Sequence, residues 1–227
     1  MPDGDVVVIV PAAGSGVRFG GDVTKQFRML RGRTVLQRVI DRFLSDDRVR
    51  LVIVPVAPDR DEAARSLTAA RVRVVTGGAT RLASVARGFD QAEESTLVAI
   101  HDAVRPLFDL ETFHVVLDAA LEYGAALPVI SLTDTVHAVA EGLIVTTPDR
   151  RALVAAQTPQ CFRAEVLRDV LARALQQGDD TTDEAGLAAR YGHQVRTVPG
   201  NPLNFKITRP EDFAMAERVI AGWEAEP

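Results

Sequence analysis

This 227-residue sequence has little of several things, and each scarcity excludes a class of protein. A single cysteine, Cys161, excludes an internal disulfide framework and a zinc site built from CxxC pairs. No apolar run approaches the roughly eighteen residues of a membrane-spanning helix, and the first short run follows acidic residues, so we expect no secretory signal and a cytoplasmic protein. The net charge of −5 argues against a nucleic-acid binder, whose footprint is basic.

What the sequence does have is a regular alternation of apolar strands and amphipathic helices. Residues 6–10 are five branched apolar residues in a row, which indicates a strand buried on both faces. The pattern predicts a single α/β domain over residues 1–227, with a Rossmann-like, mostly parallel sheet covered by helices on both faces. We predict strands at 6–10, 51–57, 72–75, 97–100, 125–130, 194–198 and 204–207, and helices at 34–44, 59–70, 80–89, 110–123, 163–177, 182–191 and 209–223.

Residues 132–149 interrupt this alternation. Two short apolar runs flank Glu141-Gly142, which indicates a β-hairpin around a glycine-containing turn. An isolated two-stranded ribbon is marginal in water, so the segment is interpreted as an arm that packs on a second copy of the chain. The alternative is a hairpin that folds back on its own domain.

The loop after the first strand concentrates positive charge. Residues 12–33 carry five cations and one acid, although the whole chain is acidic, and small residues there let backbone amides approach an anion such as a polyphosphate. Gly16 and Gly21 have the spacing of a Walker A loop, but Asp22 stands where that loop needs lysine. The dinucleotide fingerprint also fails, because its third glycine is replaced by Phe19.

The same loop carries a family resemblance. Residues 12–18 (AAGSGVR), followed by Lys25 and Gln26, resemble the signature loop of the methylerythritol phosphate cytidylyltransferases of isoprenoid precursor synthesis. The resemblance spans about residues 6–220 and continues, in matching order, through HDAVRP at 101–106, DT at 134–135, TPQ at 158–160, TDEA at 182–185 and KITRPED at 206–212. It departs from the family pattern at Thr24, where proline is frequent, and at His137, where lysine is common.

This resemblance implies a set of site residues. Arg18, Lys25 and Lys206 are expected to stabilise charge on the α-phosphate of CTP, with Mg²⁺ bridging the triphosphate oxygens near Asp102. The implied nucleotide contacts come from Ala12, Ala13, Gly14, Ser15, Gly16, Gly78, Ser84, Asp102 and Ala103. The implied contacts with a polyol phosphate acceptor come from Arg105, Thr135, Arg150, Thr158, Thr182 and Lys206. The family also implies a homodimer whose arm helps complete the partner's site.

The residues themselves leave alternatives open at several of these positions. Asp102 follows an apolar strand and could direct Mg²⁺, but aspartate also favours turns and caps at such corners. Lys206 would otherwise be an ordinary exposed strand lysine, and Thr182 is either a helix cap or a phosphate ligand at a helix N-terminus. Because the polar groups follow the carboxyl ends of several predicted strands, we expect them to form one site.

The resulting prediction is a Mg²⁺-dependent enzyme that transfers CMP from CTP to 2-C-methyl-D-erythritol 4-phosphate and releases pyrophosphate. The first alternative is a cytidylyltransferase of the same fold that acts on ribitol 5-phosphate. Two alternatives come from other classes, an NAD-dependent oxidoreductase and a nucleotide-binding module without catalysis. No nucleic-acid or membrane partner is expected.

Overall fold

The computed structural model describes residues 5–14, 24–58, 67, 70–92, 95–179 and 183–225. Within these residues the strands are β1 (Val6–Ile9), β2 (Met29–Leu30), β3 (Arg33–Thr34), β4 (Val49–Val56), β5 (Val72–Thr76), β6 (Leu97–Ile100), β7 (Ala125–Ser131), β8 (Ala138–Ala140), β9 (Leu143–Thr146), β10 (Val154–Ala156), β11 (Gln160–Arg163) and β12 (Val195–Pro199). The α-helices are α1 (Val35–Leu44), α2 (Arg81–Phe89), α3 (Leu110–Tyr123), α4 (Ala164–Gln177), α5 (Glu184–Arg190) and α6 (Pro210–Ala225).

Eight strands form one central sheet, and the prediction of a mostly parallel α/β fold is confirmed. Strand β1 lies between β4 and β6, β5 follows β4, and all of these pairs are parallel, as is the pair of β7 with β12. Strand β11 runs antiparallel between β6 and β7, and β10 pairs antiparallel with the far end of β7. The sequence pattern did not predict these reversed strands.

The first strand is buried on both faces, as its apolar run predicts. Val6 and Val8 join a core cluster with α1 and α3, whereas Val7 and Ile9 join a second cluster with α2, α4 and α5. Successive side chains of a strand point to opposite faces, so one apolar strand contributes to both layers. The sheet is therefore covered by helices on both sides.

Several predicted boundaries differ from the structure. Residues 204–207 are irregular rather than a strand, although Ile207 is buried and its N–H donates to the Val104 carbonyl (2.9 Å). The carboxylate at the start of α6 belongs to Asp212, which accepts from the backbone N–H groups of Thr208 and Arg209 (2.8 Å each). Most of the helix predicted at 59–70 lies outside the described residues.

The predicted hairpin is present as β8 and β9. Glu141 and Gly142 form its turn with φ of 51° and 80°, the pair of positive values that matches the twist of a two-residue hairpin. Its apolar side chains are largely exposed, including Leu143 at 72% and Ile144 at 63%.

Among the helices of the described ranges, none has both the length and the hydropathy that crossing a bilayer requires.

Candidate active site

A cleft of about 580 Å³ opens at the carboxyl ends of β1, β5 and β6. In an open parallel sheet this edge is the usual place for a ligand, because the loops that follow the strands diverge there. The cleft is lined by Pro11, Ala12, Ala13, Gly14, Lys25, Gln26, Gly78, Ala79, Thr80, Arg81, Ser84, Asp102, Ala103, Val104, Lys206 and Thr208.

The start of the loop after β1 is held by a buried glutamine. The Gln26 amide donates to the carbonyls of Ala12 (2.8 Å) and Gly14 (3.0 Å), and its side chain is almost fully enclosed. Gln26 belongs to a short 3-10 helix, Lys25–Phe27, so the same contacts fix Lys25 beside the loop. One amide group therefore sets the spacing between the loop backbone and a cation.

The opposite wall of the cleft is formed by Gly77-Gly78 and α2. A Cβ at Gly78 would lie 2.4 Å from the Ala83 Cβ, and a Cβ at Gly77 would lie 2.8 Å from the Ala13 Cβ. Only glycine permits this close approach of the loop to the helix. The Gly78 N–H donates to the buried Ser84 hydroxyl (3.0 Å), which in turn donates to the Thr80 carbonyl (2.9 Å). This wall is closely packed, and Gly78, Thr80 and Ser84 line the cleft.

Asp102, directly after β6, is surrounded by three cations. Its Oδ2 lies 3.0 Å from Lys206 Nζ and accepts from Arg105 Nε (3.3 Å), and its Oδ1 lies 3.6 Å from an Arg81 nitrogen. Burial alone raises the pKa of the Asp102 carboxyl, but Lys206, Arg81 and Arg105 outweigh burial and hold this pKa well below its usual range. Asp102 is therefore an anion over the whole neutral range.

A buried chain of hydrogen bonds holds Asp102 from behind. The Arg105 carbonyl can only accept, so His101 Nε2 donates to it (3.0 Å) and His101 Nδ1 accepts from the Thr158 hydroxyl (3.1 Å). The same hydroxyl accepts from the Asp102 N–H (3.1 Å). Burial lowers the pKa of His101 from 6.5 to about 4, so the ring is neutral in this network.

A second set of contacts places Lys206. The Asn204 amide donates to the Thr158 carbonyl (2.8 Å), and the Gln157 amide donates to the carbonyls of Asn201 (2.8 Å) and Asn204 (3.3 Å). Arg105 donates to the Asn204 carbonyl as well (2.7 Å). The irregular segment before Lys206 is thus held through the side chain and the carbonyl of Asn204, although it belongs to no strand.

The two lysines of the cleft are the only ones in the chain. Lysine and arginine together number 26, and all except Lys25 and Lys206 are arginine. Both lysines line the same cleft. A compact ammonium suits a phosphate as a point charge, whereas the guanidinium of arginine is a planar donor. Lysine scarcity is a sequence signal that the motif comparison did not use.

A family profile for 2-C-methyl-D-erythritol 4-phosphate cytidylyltransferase matches residues 6–221, which is nearly the whole chain. The chain belongs to this family.

Individual relatives agree with the profile. The chain is similar to the 2-C-methyl-D-erythritol 4-phosphate cytidylyltransferase of Rhodococcus opacus, with 40% identity over 219 residues and 96% of each sequence covered. The enzyme of the same name from Symbiobacterium thermophilum is 40% identical over 220 residues, which cover 95% of this chain and 92% of the relative. The crystal structure of the namesake from Thermus thermophilus has a TM-score of 0.82 at 34% identity, and covers 96% of this chain and 99% of that one.

Most of the nucleotide and catalytic residues implied by the family resemblance lie together. Those that line the cleft are Ala12, Ala13, Gly14, Lys25, Gly78, Ser84, Asp102, Ala103 and Lys206. Four others, Ser15, Gly16, Arg18 and Thr182, lie outside the described residues, so their predicted contacts stay predictions. The expectation that groups distant in sequence converge on one edge of the sheet agrees with the positions of the described members.

The implied acceptor-binding residues are more dispersed. Thr158 is 5% exposed and its hydroxyl is engaged by His101 and Asp102, so the geometry assigns it to holding Asp102 and does not support a phosphate contact. Arg105 points its guanidinium to Asp102 and to the Asn204 carbonyl, behind the cleft. Thr135 and Arg150 are exposed at the base of the arm, where Arg150 donates to the Thr133 carbonyl.

The motif comparison missed Arg81 and Glu184. Arg81 is the first residue of α2, lines the cleft, and makes two hydrogen bonds to the buried Glu184. A cation in the first turn of a helix opposes the helix dipole by about 0.3–1 kcal/mol, so an arginine there is a signal of a nearby anion. Glu184 begins α5 within the TDEA motif, and only its burial distinguishes it from an ordinary N-terminal acid.

Proposed function

We propose that this chain transfers CMP from CTP to 2-C-methyl-D-erythritol 4-phosphate and releases pyrophosphate, a step in isoprenoid precursor synthesis. Membership of the family supports the substrates, and the single structural observation that carries the proposal is the placement of both lysines and Asp102 around one cleft. An acceptor phosphate oxygen attacks the α-phosphorus of CTP, the bond to the pyrophosphate oxygen breaks, and pyrophosphate leaves with the electron pair.

The residues of the cleft act by positioning and charge stabilisation. The Gly78 wall, which the buried Ser84 holds in place, receives the cytosine, and the loop held by Gln26 receives the triphosphate. Lys25 and Lys206 stabilise the charge that develops around the α-phosphorus, as fixed cations do in other phosphoryl transfers. Arg18 is proposed for the same task from the family motif alone.

Asp102 suits Mg²⁺ in one particular way. In the described ranges no group of three or more histidine, cysteine, aspartate or glutamate side chains could hold a metal ion by itself. Mg²⁺ bound with nucleotides typically takes one or two carboxylates and fills its other positions with phosphate oxygens and water. Asp102 remains ionised in the same cleft as the loop after β1, and it supplies such a carboxylate. When bound, the ion would neutralise triphosphate charge, and Lys206 would keep Asp102 in place.

The acceptor side is proposed to be completed by a second copy of the chain. The arm exposes Val139, Leu143, Ile144 and Val145 at 60–72%, and an apolar ribbon of this kind is stable only when something covers it. Thr135 and Arg150 at its base would then approach the acceptor in the partner's cleft. A cytoplasmic location is proposed as well, since CTP is supplied there and the single cysteine is a buried, free thiol.

The direct test is pyrophosphate release with CTP, Mg²⁺ and 2-C-methyl-D-erythritol 4-phosphate, in which each component is omitted in turn. We expect release only when all three are present. Ribitol 5-phosphate under the same conditions should give a much lower kcat/KM. Equal or better turnover with ribitol 5-phosphate would assign the chain to the alternative acceptor, and CTP binding without pyrophosphate release with either acceptor would contradict catalysis.

The two lysines permit an independent test that requires no turnover. Reductive methylation modifies lysine amines, and in this chain only Lys25, Lys206 and the terminal amine can react. We expect CTP to protect both lysines, as measured by peptide mass spectrometry, while the terminal amine reacts equally with and without CTP. Protection of neither lysine, or of one alone, would contradict a shared triphosphate site.

A further inference from the structure

An arginine at the start of α2 connects two parts of the cleft that are far apart in sequence. One terminal nitrogen of Arg81 donates to both carboxylate oxygens of Glu184 (2.5 and 2.6 Å), across 103 positions of the chain. The other terminal nitrogen lies 3.6 Å from Asp102 Oδ1. Arg81 is therefore held by one carboxylate while it faces a second.

The Arg81–Glu184 pair is unusual as a stabilising device. The Glu184 side chain is 0% exposed, and removing a carboxylate and a guanidinium from water costs most of what their attraction returns. Arg81 also occupies the first turn of α2, where the helix dipole disfavours a cation and no acidic residue compensates. Both features are costs to folding, which indicates that the pair is kept for the position it gives Arg81.

The oxygens of Asp102 are held unequally. Lys206 and Arg105 both contact Oδ2, whereas Arg81 is the cation that faces Oδ1 within the described part of the chain. Two partners on one oxygen leave the carboxylate plane free to rotate, and a third partner on the other oxygen fixes that plane. The orientation of Asp102 toward the cleft therefore depends on Arg81, and the orientation of Arg81 depends on Glu184.

We propose that Arg81 and Glu184 are positioning residues that orient the Asp102 carboxylate for reaction with Mg·CTP. The inference rests on the proposed function. Loss of a partner that orients a ligating or charged group typically costs about 10–100-fold in activity or affinity. Arg81→Lys keeps the charge but removes the fork that spans the two carboxylates, so we expect kcat and the affinity for Mg·CTP each to fall about tenfold.

A double-mutant cycle separates positioning from a general structural role. In an Asp102→Asn background the carboxylate to be oriented is gone, so Arg81→Lys should cost less than about threefold there. Calorimetry of Mg·CTP binding gives a second readout that needs no turnover and should show the same non-additivity. Glu184→Gln leaves Arg81 with one acceptor in place of two, so it should lower kcat and Mg·CTP affinity as Arg81→Lys does. It replaces Arg81→Lys in the test if the Arg81→Lys protein does not fold.

Arg173→Lys is the matched control, because Arg173 makes an exposed pair with Asp169 (2.9 Å) and is not among the residues that line the cleft, so its activity should match the wild type. The proposal is overturned if Arg81→Lys and Glu184→Gln retain wild-type kcat and Mg·CTP affinity, or if Arg81→Lys costs as much without the Asp102 carboxylate as with it. Wild-type protein that binds Mg·CTP but releases no pyrophosphate would overturn the proposed function alone, since the binding cycle would still report on Arg81.

Discussion

The Asp102 cluster and the hairpin arm differ in how far contacts within the chain determine their structure. Around Asp102, the carboxylate, the Thr158 hydroxyl and both nitrogens of the neutral His101 all have partners within the chain. In the arm, β8 and β9 contact each other while their apolar side chains face outward. The Asp102 cluster is held by contacts within one chain, whereas the arm exposes an apolar surface of the kind that a second molecule usually covers.

The largest expected effect of a single substitution lies at Lys206. Lys206→Ala removes a fixed cation from the proposed triphosphate site, and losing one such group typically lowers kcat about 100-fold or more. Lys206 is 40% exposed, so the fold should persist, as checked by circular dichroism and thermal unfolding. Steady-state kinetics with CTP and acceptor give the measurement. Near-normal turnover would remove Lys206 from the mechanism and make the Asp102 cluster a structural feature.

The buried histidine of the cluster makes stability depend on pH. The pKa of His101 is about 4 in the folded chain, against an ordinary value of 6.5, so the unfolded chain binds more protons between these values. The stabilisation is complete above about pH 6.5 and falls as the pH is lowered toward 4. Between pH 7.5 and pH 5 the loss should be about 2 kcal/mol.

Urea unfolding of the wild type and of His101→Gln at both pH values measures this loss. A glutamine can keep hydrogen bonds on both sides but does not titrate, so the variant should lack this part of the pH dependence. Identical pH dependence in the two proteins would show that His101 is not the group responsible, and would make the network behind Asp102 less constrained than its geometry indicates.

A smaller effect on catalysis is expected at Gln26, which holds the loop after β1. Gln26→Ala removes the two hydrogen bonds that hold the carbonyls of Ala12 and Gly14, so kcat/KM for CTP should fall about tenfold, corresponding to about 1.4 kcal/mol. Steady-state kinetics at varied CTP gives the value, and Gln176→Ala on the exposed face of α4 is the control. An unchanged kcat/KM would mean that the loop keeps its position without Gln26.

The sequence predicted the parts of this comparison that depend on local pattern. The apolar run of β1 indicated a strand buried on both faces, and the positive-φ turn at Glu141-Gly142 lies where the hairpin signal placed it. Grouping polar residues at strand ends also predicted that Lys25 and Asp102 meet at one cleft, whereas Lys206 reaches that cleft from an irregular segment and not from the predicted strand. These inferences need only periodicity, turn chemistry and the geometry of parallel strands.

Contacts between distant parts of the chain were not predictable in this way. The reversed strand β11 places Gln160 beside the start of α5, where its side-chain carbonyl accepts from the Ala185 N–H (3.0 Å). The Arg81–Glu184 pair depends on that placement of α5, so no local sequence pattern predicts the pair. Thr158 was assigned to the ligand because its motif matched, whereas its burial follows from tertiary packing alone. Sequence motifs therefore identify the residues of a site, but they do not predict which atoms each of those residues contacts.

The smallest effect on the folded chain, and the most informative about the arm, is expected at Ile144. This residue pairs with Val139 across the hairpin and is 63% exposed, so Ile144→Asp should change the free energy of unfolding of the isolated subunit by about 0.5 kcal/mol or less. In a dimer built on the arm, the same aspartate would be buried without a partner, and the dimer should dissociate. Sedimentation velocity over a range of concentrations measures the change, with Met215→Asp on α6, 52% exposed, as a matched control that should stay dimeric.

A monomeric wild type, or an Ile144→Asp variant that remains as dimeric as the wild type, would contradict the dimer contact. The arm would then be an exposed ribbon that its own chain tolerates, and the contrast with the Asp102 cluster would be one of solvent exposure alone.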